Sequence, residues 1–486
     1  MLIVSVTGPT MRQALAQVRA STPFADLFEF RLDMVRRPDI ARLLASSVKP
    51  TIAACRSLRE GGQFTKSERE RLGILLLASS LGATFVDVEL SVAQDVLAGF
   101  LNGKSKVILS HHMKAPPWTS GRHMYDRMHR TGADVVKLAY GSTDAADIRF
   151  AIEFLSFASA DRRKAIAVAI GEPGEASRVL YKKFGGWATY AASEDGRQAA
   201  GGQLRASVLK SLYRADRLTR ATKIFGVIGN PIGQSKGIYV HSPLFQRSGR
   251  NAVYCKFPVN NLSLFMQHLA PHLSGFSVTI PHKQMVVKLL DGIDASAKAI
   301  GAVNTVVRRN GKLIGTNTDA AGALDAIETA GLVKGKVMLI FGAGGAAHAI
   351  AFEAKRRGAR VIVANRTKRR ARVLAQDLDV ESVEVKDIIR TPFDIFVNAT
   401  PMGMVPYPNH SPLSPRLLRL LKNKVVFDTV YNPPVTKLLR EARALGARIV
   451  SGADMYVNQA ALQSALYTGT KPSLSLVNEL LRGAGG

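Results

Sequence analysis

The feature that most constrains this chain is an alternation. Over its first 200 residues, short runs rich in apolar and β-branched residues recur, each followed by an amphipathic stretch of helical period. The runs are Leu2 to Val6, Leu27 to Arg31, Thr51 to Cys55, Phe85 to Glu89, Lys106 to Ser110, Val135 to Ala139, Ala165 to Ile170 and Trp187 to Ala191. Stretches such as Ser67 to Leu81 and Thr143 to Ala158 lie between them. Parallel strands need helical crossovers, so eight such units predict an α/β fold closed into a (β/α)8 TIM barrel. No internal repeat of the kind that marks a solenoid accompanies the alternation.

Gln203 to Leu218 reads as the last barrel helix, which sets the barrel at 1–218 and leaves a short polar linker at 219–222. A second strand–helix series opens at Lys223 to Ile228 and has two parts. A lobe over 223–330 carries the strands Ala252 to Phe257 and Gly275 to Ile280. A tighter, Rossmann-like lobe over 331–454 opens with Lys336 to Phe341. The tail over 455–486, helical from Tyr456 to Leu481, is expected to fold back onto the first lobe.

At 486 residues the chain has material for about three domains. Its 47% apolar and 21% charged residues exclude general disorder. Two cysteines, Cys55 and Cys255, exclude a disulfide framework and a four-cysteine zinc site, so no metal is expected. The amino end opens as a strand without a leader pattern, and the longest apolar run, Val337 to Phe352, is broken by three glycines and a histidine. A soluble cytoplasmic protein without a membrane partner is expected. The net charge of +29 raises a rival reading, a nucleic-acid-binding protein on an enzyme scaffold. Residues 1–222 hold 32 basic and 21 acidic residues and residues 223–486 hold 34 and 16, so both halves share the excess. The densest runs, Lys355-Arg356-Arg357 and Lys368-Arg369-Arg370, fall on helices without interleaved aromatics, which favours a solvated face over nucleic-acid binding.

Polar residues of the barrel gather at the carboxyl ends of its strands, where barrel enzymes assemble their sites. Glu29 and Arg31 end the second strand, Arg56 and Glu60 follow the third, Glu89 ends the fourth, His111 and His112 follow the fifth, and Lys137 lies inside the sixth. A buried lysine is a poised amine nucleophile, because desolvation disfavours its charged form. Taken alone, a lysine there is more often ion-paired or snorkelling. With His112 as acid/base, Glu60 to hold that base, and Arg31, Arg56 and Arg178 for an anionic substrate, the group reads as a Schiff-base site.

The segments Phe28-Glu-Phe-Arg-Leu-Asp33, Cys55-Arg-Ser-Leu-Arg-Glu-Gly-Gly62, Ser110-His-His112, Ala133-Asp-Val-Val-Lys-Leu-Ala139, Gly171-Glu-Pro-Gly-Glu-Ala-Ser-Arg178 and Gly201-Gly-Gln203 resemble type I 3-dehydroquinate dehydratase over residues 1–215. The resemblance implies that Lys137 forms an imine with the C3 ketone, while His112, held by Glu60, moves the C2 proton and protonates the departing C1 hydroxyl. It places Ser5, Glu29, Arg31, Arg56, Arg178 and Gln203 on the substrate. Ala199 stands where the family usually has serine, which removes one hydroxyl contact. Position after Ser110 favours His112 over His111 as the catalytic imidazole.

In the second half, Phe341-Gly-Ala-Gly-Gly-Ala-Ala-His348 follows a strand and opens a helix, the setting for phosphate capture. The next strand ends in Asn365-Arg-Thr-Lys-Arg-Arg370 rather than an acidic residue, which fits the 2′-phosphate of NADP. Upstream, Lys283 in Ser277-Val-Thr-Ile-Pro-His-Lys283 and Asp319 in Gly315-Thr-Asn-Thr-Asp319 can supply a proton to a ketone oxygen during hydride delivery.

These runs, with Gly229-Asn-Pro-Ile-Gly-Gln-Ser235, Gly301-Ala-Val-Asn304, Asn398-Ala-Thr-Pro-Met-Gly-Met404, Asp428-Thr-Val-Tyr431 and Asn458-Gln459, resemble shikimate dehydrogenase over residues 223–486. The resemblance implies Lys283 and Asp319 at the reacting centre and Ser235, Thr279, Asn304, Tyr431 and Gln459 on the substrate. Gly342, Ala343, Gly344, Gly345, Ala346, Asn365, Arg366, Thr367, Arg370, Thr400, Thr429 and Gly452 would line NADP. Gly237 and Ser242 depart from the family pattern. Loss of a serine at 237 is expected to open space and remove a donor, which keeps quinate as an alternative substrate to shikimate. The combined expectation is a bifunctional enzyme that converts 3-dehydroquinate to 3-dehydroshikimate and then reduces it to shikimate. Two linked halves with their own cores are consistent with a monomer.

Overall fold

The computed structural model describes residues 1–116, 120–233 and 235–483. The chain divides into two compact units, Met1–Ile238 with Phe245–Leu273, and Tyr239–Leu244 with Ser274–Gly486.

In the first unit, β1 (Leu2–Val6), β2 (Leu27–Arg31), β3 (Thr51–Ala54), β4 (Phe85–Glu89), β5 (Lys106–Met113), β6 (Val135–Gly141), β7 (Lys164–Ile170) and β8 (Thr189–Ala192) form a parallel sheet ordered β7-β6-β5-β4-β3-β2-β1-β8. A backbone hydrogen bond from Trp187 N–H to Ala165 O, 2.9 Å, draws the start of β8 to β7 and nearly closes the barrel. Ile3, Leu27, Ile52, Phe85, Ile108, Val135, Ile166 and Tyr190 pack together near the amino ends of the strands. Burial of each such side chain contributes about 1.5–3 kcal/mol. Side chains alternate along a strand, so a step of two residues stays on the inward face. That step leads from this apolar floor to Ser5, Glu29, Asp87, Ser110 and Lys137. The polar site is therefore the next layer of the same core.

Two departures from the expected elements matter here. Strand β5 continues past Ser110 to Met113, which makes His111 and His112 strand residues paired with Leu138 and Ala139. The expected helix over Gln203 to Leu218 is instead a π-helical turn, Val208–Leu212, and a 3₁₀ turn, Ala215–Arg217. Arg214, with φ 49°, interrupts helical geometry between them, and Arg205 is drawn into a bridge with Ala192. Gln203 thus sits on a loop. The same unit also contains β9 (Lys223–Gly229) and β10 (Ala252–Pro258), paired in parallel.

In the second unit, β11 (Leu273–Val278), β12 (Gly292–Ile293), β13 (Thr305–Arg309) and β14 (Lys312–Thr316) carry the proximal segment. The β13–β14 hairpin turns through Asn310-Gly311 at φ 50° and 80°, left-handed positions that asparagine and glycine tolerate. Beyond it, β15 (Val337–Phe341), β16 (Arg360–Ala364), β17 (Glu381–Val383), β18 (Ile395–Asn398), β19 (Val425–Asp428) and β20 (Arg448–Val450) form a parallel sheet ordered β17-β16-β15-β18-β19-β20. The strand order reverses between β15 and β18, the switch point at which nucleotide-binding folds open a crevice. Apolar layers cover both faces of the sheet.

The tail is two helices, Gly452–Thr468 and Leu474–Gly483, separated where Gly469 takes φ 78°. The first packs on the helix Thr318–Glu328, where a Cβ at Gly322 would stand 2.7 Å from Gln459 N. Among the described residues no helix is long and apolar enough to cross a membrane.

Candidate active sites

The barrel layer is a network of compensated charges. Lys137, 4% exposed, places Nζ 2.9 Å from Asp87 Oδ2 and 3.3 Å from Glu29 Oε1. Its buried amine is thus flanked by two carboxylates. Arg56 reaches Asp87 at 2.8 Å and Glu89 at 3.4 Å, and donates to Ser110 Oγ at 2.7 Å. Burial works to raise the Asp87 carboxyl, but Arg56 and Lys137 outweigh it and hold the group far below the usual carboxylate range. Ser5 donates to Glu29 Oε2 at 3.0 Å.

At the carboxyl end of β5, Glu60 Oε2 accepts the His112 backbone N–H at 3.0 Å and lies 2.9 Å from His112 Nδ1. Its other oxygen lies 3.3 Å from His111 Nδ1. Burial opposes ionisation of Glu60, yet the hydrogen bonds of His111 and His112 bring it down to about 2. Burial, assisted by Arg56, lowers His112 to about 3, so its imidazole is neutral at physiological pH and can accept a proton. Glu60 grips His112 through two atoms and His111 through one.

The three arginines differ. Arg31 is engaged in a fork on Asp33, at 2.9 and 2.8 Å, and Arg56 is ion-paired with Asp87 and Glu89 as described. Arg178 is fully buried; Nη2 donates to Gly201 O at 3.3 Å and Nε has no partner among the described residues. Burial lowers its pKa to about 10, with Glu175 acting in the opposite direction. It is a cation prepared for an anion. Gln203 folds its side chain back, accepting the Ala199 N–H at 2.7 Å, so its amide oxygen closes the loop bearing both.

Asp87 and Tyr190 were not singled out from the sequence. The signal for Asp87 was present, because Phe85-Val-Asp-Val-Glu89 places two acids on one strand face.

In the second unit, Lys283 Nζ donates to Asp319 Oδ2 at 2.6 Å, with side chains 34% and 22% exposed. Asp319 occupies the first turn of the helix Thr318–Glu328, whose amino end favours negative charge. Beside the pair is a neutral hub. Asn304 Oδ1 accepts Thr318 N–H at 2.8 Å and Thr305 Oγ at 2.8 Å, and Asn304 Nδ2 donates to Thr318 Oγ at 2.9 Å. Gln463 Nε2 donates to Thr305 Oγ at 2.9 Å, and Gln459 Oε1 reaches Thr318 Oγ at 3.5 Å. Thr279 lies on the loop after β11 and Tyr431, largely exposed, on the loop after β19. Ser235 follows β9 in the first unit. There too, a Cβ at Gly237 would meet Tyr254 Cε1 at 3.0 Å and its hydroxyl at 3.1 Å. The space expected from the absent serine is filled by that ring.

At the switch point, Gly342 takes φ 131° and a Cβ there would stand 2.6 Å from Ala399 O, so a side chain could not make this turn. Gly344 and Gly345 face open space, and the helix Gly345–Arg356 begins there with its amide groups outward. With Ala343, Thr367, Arg369 and Arg370, these glycines line a cleft of about 720 Å³. Ala346 continues the turn, and Asn365 Nδ2 donates to Thr367 O at 3.1 Å. Thr400 donates to Asn398 Oδ1 at 2.7 Å, Thr429 N–H donates to Asn398 O at 3.0 Å, and Gly452 sits where a Cβ would meet Thr429 O at 2.5 Å. Among the described residues, no carboxylate lies within ion-pair distance of Arg366, Arg369 or Arg370, although Asp377 also lines the cleft. By contrast Arg356 and Arg357 are held by Glu353, Arg357 also by Asp325 and Glu328, and Lys368 by Glu384. Glycine cradle, helix amino end and unpaired arginines fit NADP.

Residues 2–220 match the type I 3-dehydroquinase family, 227–306 the shikimate dehydrogenase substrate binding domain, and 325–402 the shikimate/quinate 5-dehydrogenase family. The chain is 38% identical over 474 residues to the chloroplastic bifunctional 3-dehydroquinate dehydratase/shikimate dehydrogenase of Arabidopsis thaliana, covering 92% of this chain and 78% of that one. It is 39% identical over 273 residues to the shikimate dehydrogenase (NADP(+)) of Methanocaldococcus jannaschii, covering 54% of this chain and 96% of the relative. The crystal structure of shikimate 5-dehydrogenase from Thermus thermophilus with NADP(H) and shikimate is 34% identical, with a TM-score of 0.50 over 54% of this chain and 100% of that one.

Proposed function

The chain belongs to the family of bifunctional 3-dehydroquinate dehydratases/shikimate dehydrogenases, and from that premise we propose how its residues divide the two reactions. The barrel carries out the dehydration. Lys137 attacks the C3 ketone of 3-dehydroquinate, the carbonyl oxygen leaves as water, and a protonated imine remains. The imine withdraws electrons from C2. His112, neutral and oriented by Glu60, takes the C2 proton and returns it to the C1 hydroxyl, which departs as a second water. Hydrolysis then releases 3-dehydroshikimate and the amine. Arg178 is assigned the substrate carboxylate because its buried Nε has no other partner among the described residues. Ser5, Glu29, Arg31, Arg56 and Gln203 are assigned the remaining contacts.

Residues 223–486 are the shikimate dehydrogenase. NADPH supplies the hydride when bound. Lys283 donates the proton to the ketone oxygen and Asp319 restores it, an arrangement supported by their 2.6 Å contact. Ser235, Thr279, Asn304, Tyr431 and Gln459 are assigned to the substrate, and the switch-point residues from Gly342 to Ala346, Asn365, Arg366, Thr367, Arg370, Thr400, Thr429 and Gly452 to the nucleotide. Quinate is not favoured as the alternative substrate, since Tyr254 fills the room that Gly237 would leave. The functional boundaries proposed are 1–218, 219–222, 223–330, 331–454 and 455–486. A reducing compartment such as the cytoplasm is supported by two buried free cysteines. Small metabolites rather than nucleic acid are the proposed partners, supported by the carboxylates that neutralise the run from Lys355 to Arg357. The protein is proposed to act as a monomer.

The observation that carries the dehydratase reading is the buried Lys137 amine, which pairs in register with Ser110 one two-residue step below the His112–Glu60 pair. Borohydride added during turnover of 3-dehydroquinate reduces the imine to a stable secondary amine. We expect peptide mapping to find the adduct on Lys137, with dehydratase activity lost and dehydrogenase activity kept. An adduct elsewhere, or none with active protein, overturns the assignment.

A further inference from the structure

Beneath the Lys137 amine lies a side chain that the dehydration scheme does not use. Tyr190, from β8, is 3% exposed and its ring centroid stands 4.1 Å from Lys137 Nζ. The ring belongs to the apolar floor of the barrel, and its buried hydroxyl faces Glu29 without a well-formed hydrogen bond. Tyr190 therefore separates the hydrocarbon layer from the charged one.

The step from amine to imine makes this placement useful. An ammonium has three N–H bonds, and Asp87 and Glu29 take two of them. A protonated imine has one. Formation of the C–N bond thus costs the nitrogen at least one carboxylate partner while its positive charge persists. The face of an aromatic ring attracts a cation through its quadrupole and needs no N–H to do so, and the attraction is stronger where water is excluded. We propose that Tyr190 is a positioning residue of the dehydratase, whose ring face holds the Lys137 nitrogen in place through both its ammonium and its iminium states. The inference rests on Lys137 being the Schiff-base lysine. Burial, reinforced by the charges of Glu29 and Asp87, keeps the phenol protonated well above its ordinary range, so the ring stays neutral throughout. The ring rather than the hydroxyl is the working part.

The test separates ring from hydroxyl and uses the dehydrogenase of the same full-length chain as its folding control. Tyr190→Phe is expected to keep dehydratase kcat within about threefold, whereas Tyr190→Leu lowers kcat and the borohydride-trapped fraction at Lys137 about tenfold, with little change in KM for 3-dehydroquinate. A shape-preserving series avoids any folding defect: phenylalanine at 190 carrying one, two, three or five ring fluorines weakens the quadrupole stepwise. Log kcat for dehydration should fall steadily along that series while shikimate oxidation stays constant. A flat fluorine series, or wild-type trapping in Tyr190→Leu, overturns the role of Tyr190. Absence of any adduct on Lys137 in the wild-type protein instead removes the imine mechanism, and this proposal with it.

Discussion

Asp87 and Asp428 lie in parallel strands of different units, both are buried, and their environments push them in opposite directions. Asp87 has Lys137 and Arg56 within 2.9 Å, and those cations hold its carboxyl down against the effect of burial. Asp428 accepts hydrogen bonds from Thr436 Oγ at 2.6 Å, Asn398 Nδ2 at 2.9 Å and Val430 N–H at 3.1 Å, and no cation pairs with it among the described residues. Burial raises it to about 6. The contrast reflects the chemistry of the two units. An amine that must form and release a covalent bond in a dry barrel needs its charge compensated beforehand. A reaction whose hydride comes from a cofactor asks less of the protein, and Lys283 with Asp319 remains partly exposed among neutral hydrogen-bonding groups.

This difference should appear in stability before it appears in rate. Removing one partner of a buried ion pair strands the others, at about 3–5 kcal/mol, whereas a partly exposed pair is worth about 1 kcal/mol or less. Asp87→Asn is therefore expected to destabilise the barrel by about 3–5 kcal/mol and to abolish most dehydratase activity. Lys283→Met should cost about 1 kcal/mol or less while removing most shikimate oxidation. Trp187 packs on Phe85 in the barrel, so its emission in urea follows that unit, and dehydrogenase inactivation follows the other. Equal losses for the two substitutions would break the comparison.

Asp428→Asn tests the opposite case. The usual aspartate value is 3.8 and the buried one is about 6, so between these the folded chain holds a proton that the unfolded chain has released. This group's contribution to stability thus falls as pH rises from about 4 to 6 and levels off above, a loss of about 2–3 kcal/mol. Asparagine preserves the acceptor toward Val430 and cannot ionise. The stability of Asp428→Asn relative to wild type should rise across that window and then plateau, measured by dehydrogenase inactivation in urea at each pH. A flat difference from pH 4 to 7 would show that burial does not govern this carboxyl.

The same contrast explains what could be read from the sequence. Barrel strands were legible because each is a short apolar or β-branched run set between helical stretches, and β1, β2 and β4 have the bounds expected. Glu60, His112 and Lys137 were legible because each is a chemically unusual residue inside a barrel strand or shortly after one. For Asp87 only its strand face was legible; its role depends on Arg56, just after β3, and on Lys137 in β6, which only closure of the barrel brings to it. Tyr190 resembles any core aromatic until Lys137 is placed over its ring. The missing last helix has a similar cause: Gln203 to Leu218 has helical composition, but the left-handed Arg214 and the bridge at Arg205 are tertiary facts. The space expected beside Gly237 was likewise misjudged because Tyr254 arrives from the neighbouring strand β10.

Arginines sharpen the comparison at a smaller scale. In the barrel, the charge of Arg56 is already compensated by carboxylates of the protein, whereas Arg178 lacks an ion pair among the described residues and keeps its charge for the substrate. In the nucleotide lobe, the arginines on either side of β16 divide in the same way: Arg356 and Arg357 before it are paired internally, while Arg366 and Arg370 after it have no protein carboxylate among the described residues. An exposed arginine without a partner gains from an added phosphate about what one charge-assisted hydrogen bond provides, roughly 1.5 kcal/mol or tenfold in affinity. Arg370→Ala should therefore raise KM for NADPH about tenfold and leave KM for NADH within about twofold, because NADH lacks the 2′-phosphate. Arg356→Ala, whose guanidinium belongs to Glu353, should change neither. Steady-state kinetics with both coenzymes decides the matter: if Arg370→Ala weakens NADH as much as NADPH, its charge serves the fold or the pyrophosphate rather than the 2′-phosphate, and the division between paired and waiting arginines fails in this unit.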